Sequence, residues 1–598
     1  MATISTDTGE RVFTLKQWMG LHESPDGDTK LKIGEANKMV NWRVTRDGNL
    51  AKRGGTKALR ECGPVMGIWA GSVNGTYIGV YAADNTLYKF YEEGEFVNEE
   101  IGSLCTERRI GFVPYQGNLY ILNGEEFLCY DGMLLDRVEG YVPVVVINLF
   151  PNGTQVEATA IEYEQINKLS KWRKIWLTGD GTNTTWTIPE TVNEILYVKD
   201  RTDDSELTYT LSGNDITIPN AIGTTIDLYE VCYSSPNCYR EEVDAMRFGE
   251  LYTGIGDVRI LLYGDGSNKI LYSEVDYNGN ARADYFPDLN VANIGISNSP
   301  VNGIVRHGNE VVVYKSDSTY TIQDTTQELT SGLESLGFVV KNVNRQLGCD
   351  YLGEIVLREN NPITLFNHEI YEWQSNSYYT SNLSYDERQS KRISDNVYKS
   401  CREMDFKNAY VFDDNAESEV WITDGSNILV NNYAVNSWYR YDGIHINCMA
   451  RIGNYLFIGS DVGVLTYSDS YYSDDGKAIE AYWESGYMPF DTTYKRKFSA
   501  MTWVAAKQLT NGYLHVRVDT DRTTVEAKKD ITSKRSSFLN WNFSDFSFKT
   551  GANAKTTKLK LKAKKFVYYK LVLISDKVNT SCLVTDFDIL VRETGNAK

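Results

Sequence analysis

The chain has 598 residues and a formal charge of −19, is 42% apolar and 12% aromatic, and holds 41 Tyr against only 10 Met and 5 His. That length allows two to four domains with substantial cores. Nine Cys, an odd number without a CxxC pair, argue against a disulfide framework and for reduced thiols, and the apolar run from Tyr141 to Ile147 is far too short to span a bilayer.

The opening MATISTDTGERVFTLKQW has neither a basic nor an apolar leader region, so no signal peptide is expected and synthesis in the cytoplasm is. Residues 1–60 read as an anchoring strap. Met39 and Trp42 are expected to pack, Asp47-Gly48-Asn49 to turn, and the basic pair Lys52 and Arg53, followed by Gly54-Gly55, either to anchor the strap or to contact a neighbouring chain.

A short motif then recurs: an apolar strand, a turn with Gly or Asn, and a second strand ending in an aromatic. It reads NGTYIGVYAADNTLYKFY at Asn74 to Tyr91 and GNLYILNGEEFLCYDG at Gly117 to Gly132. After a gap it resumes at Arg259 to Glu274, Gly308 to Ile322, Pro362 to Trp373, Ala409 to Tyr433 and Gly453 to Tyr467, making seven candidate units. A unit this small cannot bury its apolar face alone, so copies must stack or close, and a β-propeller is the economical arrangement. The propeller is assigned to residues 61–141 and 240–477. Within it, Asp324 to Gly337 is expected as a short helix or a loop.

The gap, residues 142–239, alternates short strands with GDG, SGN and NAIG turns and reads as an inserted small β-sandwich. Its GDG at Gly179 to Gly181 lacks the spaced carboxylates of a calcium loop and is expected as a hairpin turn, and Cys232 and Cys238 are read as buried thiols. From residue 478 to 598 the spacing changes to that of a C-terminal β-sandwich, with strands near 481–483, 500–505, 513–518, 556–563, 566–574 and 583–591. This region is locally basic: Asp491 to Lys570 holds 18 Lys/Arg against 6 Asp/Glu, whereas the first 490 residues carry about −30. Lys558, Lys560, Lys562 and Lys564 alternate with apolar residues, which makes them either a docking face for an acidic neighbour or a solvated strand face.

The linear sequence holds no HExxH, GxSxG, Walker loop or dinucleotide fingerprint, and its five His lack ligand spacing. Asp413, Asp414, Glu417 and Glu419 are expected as a polar inter-strand loop. On these grounds no catalytic, metal or cofactor-binding residue is assigned, and the chain is expected not to be an enzyme.

The segment GEANKMVNWRVTRDGNLAKRGG resembles the opening segment of the tail nozzle, or tubular, proteins of short-tailed bacteriophages, at Glu35, Asn41, Trp42, Gly48, Leu50, Lys52, Arg53 and Gly54. Gly54-Gly55 stands where a Pro often follows the basic pair. Further resemblance lies at Ile270 to Asp288, Val301 to Ile322 and Glu387 to Val397. The resemblance implies a structural virion protein, built into a ring in the tail beneath the portal and head–tail adaptor, that extends the DNA ejection channel. It implies a homo-oligomeric ring, hexameric in that family, with the portal or adaptor and tail fibres or other tail proteins as partners, non-specific passage of viral DNA and no membrane anchor. Assembly would take place in the bacterial cytoplasm, with the virion tail as destination. A host-receptor or carbohydrate-binding tail protein is the alternative, since propeller loops and the insert present exposed aromatics.

Overall fold

A computed structural model of the chain describes residues 2–5, 10–23, 31–151, 160–221, 223–253, 258–308, 310–328, 334–380, 383–488, 490, 495–507, 509, 511–531 and 556–596. The protein is all-β, 55% strand and 3% helix. It divides into two units, one of residues 1–68 with 356–598, the other of residues 69–355.

The repeat read in the sequence folds as seven four-stranded antiparallel meanders, the blades of a β-propeller, numbered here in chain order. Two-residue turns with both φ positive join many of their strands: Asn74-Gly75, Asp84-Asn85, Gln116-Gly117 and Asn367-His368. This is the geometry that matches the right-handed twist of a hairpin and favours Asn and Gly, which is why those residues punctuate the repeat.

The unit of residues 69–355 holds blade 1 from Trp69 of its first strand onward (Val65–Val73, Thr76–Ala83, Thr86–Glu92, Glu99–Ser103) and blade 2 (Gly111–Tyr115, Asn118–Leu122, Phe127–Tyr130, Leu135–Arg137). Blade 3 (Phe248–Thr253, Val258–Tyr263, Lys269–Tyr272, Val291–Asn293) and blade 4 (Val301–His307, Glu310–Lys315, Thr319–Glu328, Glu334–Asn344) follow. Consecutive blades bury one another's faces. Val80 and Leu87 of blade 1 pack with Leu119 and Ile121 of blade 2, Leu122 and Phe127 of blade 2 with Ile260 and Leu262 of blade 3, and Leu261 and Ile270 of blade 3 with Ile304 and Val313 of blade 4. The helix or loop expected at 324–337 is corrected for its described part: 324–328 and 334–337 belong to two antiparallel strands paired from Thr319↔Asn344 to Glu328↔Glu334, and 329–333 lie outside the described residues. Their composition is largely polar and shows no apolar alternation that would mark a strand.

The insert between blades 2 and 3 is a two-sheet module. A five-stranded sheet centred on Trp172–Leu177 and Tyr229–Ser234 faces a three-stranded one, and Trp186, Ile175, Leu177, Ile216 and Val231 fill the space between them. The GDG turn is not a hairpin turn. It carries the chain from Trp172–Leu177 in one sheet to Thr185–Thr187 in the other, and Asp180 accepts from the backbone of Thr182 (2.9 Å) and Asn183 (2.7 Å). All nine cysteines are free; Cys232 is buried as expected, whereas Cys238 is only half-buried.

The other unit holds blade 5 (Leu357–Arg358, Asn361–Phe366, Glu369–Thr380, Leu383–Arg392), blade 6 (Tyr410–Asp414, Glu419–Thr423, Ile428–Asn432, Ser437–Tyr441) and blade 7 (Cys448–Ile452, Tyr455–Ser460, Gly463–Ser468). Blade 7 takes its fourth strand, Gly55–Glu61, from the N-terminal region. The C-terminal strands form two sheets. One runs Ala481–Ser485, Tyr569–Ser575, Tyr513–Thr520, Thr524–Asp530, and the other holds Leu583–Asn596, Lys495–Lys507 and the edge strand Thr556–Leu561.

Candidate functional site

The strap is the point at which these elements are tied together. Its strand Ala36–Val40 pairs antiparallel with Ala481–Ser485 and in parallel with Ser437–Tyr441, so that blade 6 and a C-terminal sheet become one nine-stranded sheet. The chain then turns at Asn41, whose φ is 57°, and Trp42–Val44 pairs with Leu50–Lys52, which in turn pairs with Leu583–Asn596 of the second C-terminal sheet. Gly55–Glu61 finally completes blade 7.

Arg53 sits where the chain leaves the second sheet for blade 7, and all its donors are used. Nε donates to Asn41 Oδ1 (2.7 Å), Nη1 to Gly54 O (2.8 Å) and Asp474 Oδ1 (2.9 Å), and Nη2 to Asp442 O (2.7 Å) and Asp474 Oδ2 (2.6 Å). A guanidinium has five N–H groups in a fixed fork, so this cradle satisfies it completely. Asp474 Oδ1 also accepts from Thr56 N (3.1 Å), and Asn41 Nδ2 donates to Glu480 O (2.9 Å). Next to it, Arg43 is paired with Asp469.

Of the two roles expected of Lys52 and Arg53, contact with a neighbouring chain is corrected by their burial, 7% and 2% exposed, which leaves anchoring. Arg53 is spent on its own chain. Lys52 lies across from Trp42 on one side and donates its backbone N–H to Cys582 O (2.9 Å) on the other. Its Nζ has no hydrogen-bond partner among the described residues, and burial pushes the ammonium down to about 8. Trp42 is fully buried. The Gly-Gly step has a local cause: a Cβ on Gly54 would come within 2.5 Å of Ser468 O, and one on Gly55 within 2.1 Å of Ser473 O. The backbone of blade 7's exit leaves no room for a side chain there.

The acidic run expected as a loop is corrected in part: Glu417 lies in the turn, but Asp413, Asp414 and Glu419 belong to the strands Tyr410–Asp414 and Glu419–Thr423. Asp414 and Glu419 are facing strand residues, both buried, and Asp414 is paired with Arg451. Glu419 accepts from Tyr439 Oη (3.1 Å) and Asn432 Nδ2 (3.2 Å), and burial pushes its carboxyl up to about 7 against an ordinary value of 4.5. Because the folded state holds this proton more tightly than the unfolded chain does, stability contributed here falls as pH rises from about 4.5 through about 7. Glu419→Gln is therefore expected to flatten that part of the stability profile and to exceed the parent by about 2 kcal/mol at pH 8. Denaturant unfolding at a series of pH values checks it, and parallel profiles for the two proteins would refute it.

The basic strand lies as read. Among the described residues Thr556–Leu561 is the outer strand of its sheet, pairing with Lys495–Lys507, and Lys558, Lys560, Lys562 and Lys564 are exposed while Leu559, Leu561 and Ala563 are buried. Arg53's partners Asp442 and Asp474 were not anticipated; they lie some four hundred residues away in sequence, with no local signal. Among the described residues, Cys105, Glu107 and Glu125 bring one ligand atom each within 4.8 Å of one another, the one grouping there with the makings of a cation site.

No family model matches the chain, and no curated protein matches it in sequence. Among solved structures it is similar to the BBS1 N-terminal domain crystallised with ARL6, at 11% identity over 72% of this chain and 96% of that one, with a TM-score of 0.24. It is also similar to an exo-β-1,3-galactanase from Phanerochaete chrysosporium (10% identity, 82% and 97% covered, TM-score 0.16). A third is a glycoside hydrolase family 43 arabinoxylan arabinofuranohydrolase from Bacillus subtilis (9% identity, 73% and 96% covered, TM-score 0.15). With glycoside hydrolases among these structures, the expectation that the chain is not an enzyme is withdrawn. Missing linear motifs do not decide that question, since carboxylates for glycoside hydrolysis are brought together by folding. Backbone likeness at this level transfers no residue role to this chain.

Proposed function

We propose that this chain is a structural subunit of a short-tailed phage tail nozzle, assembled as a ring that extends the DNA ejection channel. The observation that carries the reading is the strap. Of the eight positions at which the sequence resembles the nozzle family, Asn41, Trp42, Leu50, Lys52, Arg53 and Gly54 are buried in one tie joining blade 6, blade 7 and both C-terminal sheets. A tie of this kind suits a subunit that must hold its modules together under load. The charge distribution supports the same reading: acidic groups along a conduit would keep DNA phosphates from adhering, whereas a lysine-lined one would retain them in a salt-dependent way.

The purified protein should form rings in negative-stain images, and antibody labelling should place it at the tail tip of intact particles. A protein that stays monomeric at high concentration and is missing from purified tails would overturn the proposal. The exposed lysines give it a quantitative test. Replacing Lys558, Lys560, Lys562 and Lys564 with Gln keeps the alternating strand and removes four charges. Tail incorporation should weaken and its dependence on salt should fall, with the melting of the isolated protein nearly unchanged. Normal incorporation across a salt series would assign these lysines to solvent.

A further inference from the structure

The outer edge of blade 1 carries an unusual surface. Tyr77 and Phe96 are 42% and 46% exposed, and both stack edge-on against Tyr91, with ring centroids 6.3 Å and 5.7 Å away. Exposed Glu93 and Glu95 lie in the turn after Tyr91, with the Glu93 N–H donating to Tyr77 O (3.4 Å), and Glu99 and Glu100, also exposed, lie on the edge strand Glu99–Ser103 opposite Lys89 and Tyr88. Single exposed aromatics or carboxylates are ordinary; stacked rings beside four exposed carboxylates, with the neighbouring cation, Lys89, held by Glu92 (2.6 Å), have the composition of a protein interface, with anchors at the centre and a charged rim.

The same chain carries the complementary surface. Thr556–Leu561 is likewise an edge strand among the described residues, and its lysines recur at every second position through Lys564. Lysines on a sheet edge repel neutral and cationic edges and accept an acidic one. Their stems cover apolar rings while the ammonium groups reach carboxylates or sit over ring faces, as Lys562 already does over Phe498 at 5.4 Å.

We propose that the lysine edge of one subunit docks on the aromatic and glutamate edge of blade 1 in a second copy of this chain. Two different, mutually complementary patches make a heterologous contact, and such contacts generate rings when the rotation closes. The inference rests on the ring reading above and names the contact that would build the ring.

Reciprocal charge reversal tests it. Lys558→Glu, Lys560→Glu, Lys562→Glu and Lys564→Glu form one variant, and Glu93→Lys, Glu95→Lys, Glu99→Lys and Glu100→Lys the other. Assembly is read by light scattering and negative-stain imaging, and folding by melting. Each variant alone should melt like the parent yet raise the dissociation constant by about a hundredfold or more, because like charges then face each other. An equimolar mixture of the two variants offers one native and one reversed contact in alternation and should restore even-numbered rings, and one chain carrying both reversals should recover rings as well. Rings formed by either variant alone at parental concentration, or no recovery in the doubly reversed chain, would overturn this contact while leaving the nozzle reading intact. A parent protein that forms no rings would overturn both.

Discussion

Arg53→Ala is expected to destabilise the unit of residues 1–68 and 356–598 by about 3–5 kcal/mol, because it leaves the buried Asp474 carboxylate without its counter-ion. Two acceptors from other parts of the chain, Asn41 Oδ1 and Asp442 O, lose a charged donor at the same time. The effect should concentrate where the strap enters blade 7. Hydrogen exchange ought to show strand Gly55–Glu61 and its partner Gly463–Ser468 losing protection well before the insert between blades 2 and 3. Asp474→Asn, which keeps the shape of the acceptor but not its charge, should cost less than Arg53→Ala. A change within the few tenths of a kcal/mol usual for surface substitutions, or uniform loss of protection across the chain, would show that Arg53 does not clamp the strap.

The second large effect is expected from Trp42→Ala, about 3–5 kcal/mol for removing a fully buried indole. The indole N–H has no hydrogen-bond partner among the described residues, so its contribution comes from packing. Trp42→Phe should therefore retain most of the stability, with a loss of about 1–2 kcal/mol. Because a chain with several modules need not unfold in one step, the measurement is the transition of the strap-containing unit, followed by exchange or by limited proteolysis. Equal losses for Ala and Phe would indicate that a polar contact of the indole, and not its volume, is what matters.

The sequence alone determined what depends on neighbouring residues. Period-two alternation and Asn, Gly and Asp turns identified the blade repeat, since those turns need positive φ and a half-buried strand needs a polar face. The same local rule identified the exposed lysine ladder at Lys558 to Lys564, where each lysine is flanked by a residue facing the core. It failed where the local pattern was silent: Asp324–Glu328 and Glu334–Gly337 pair through backbone bonds that their largely polar composition does not advertise. Only the tertiary structure decided the fate of the charged residues. Arg53 and Lys52 read as a surface pair, and Asp414 and Glu419 as a loop, because lone charges are usually solvated. Burial became tolerable for Arg53 through Asp474 and for Asp414 through Arg451, partners contributed by distant strands, and Glu419 is accommodated with its carboxyl pushed toward the neutral form. Which charges a fold can bury depends on what it places beside them, and that is a property of the assembled sheets rather than of any stretch of sequence.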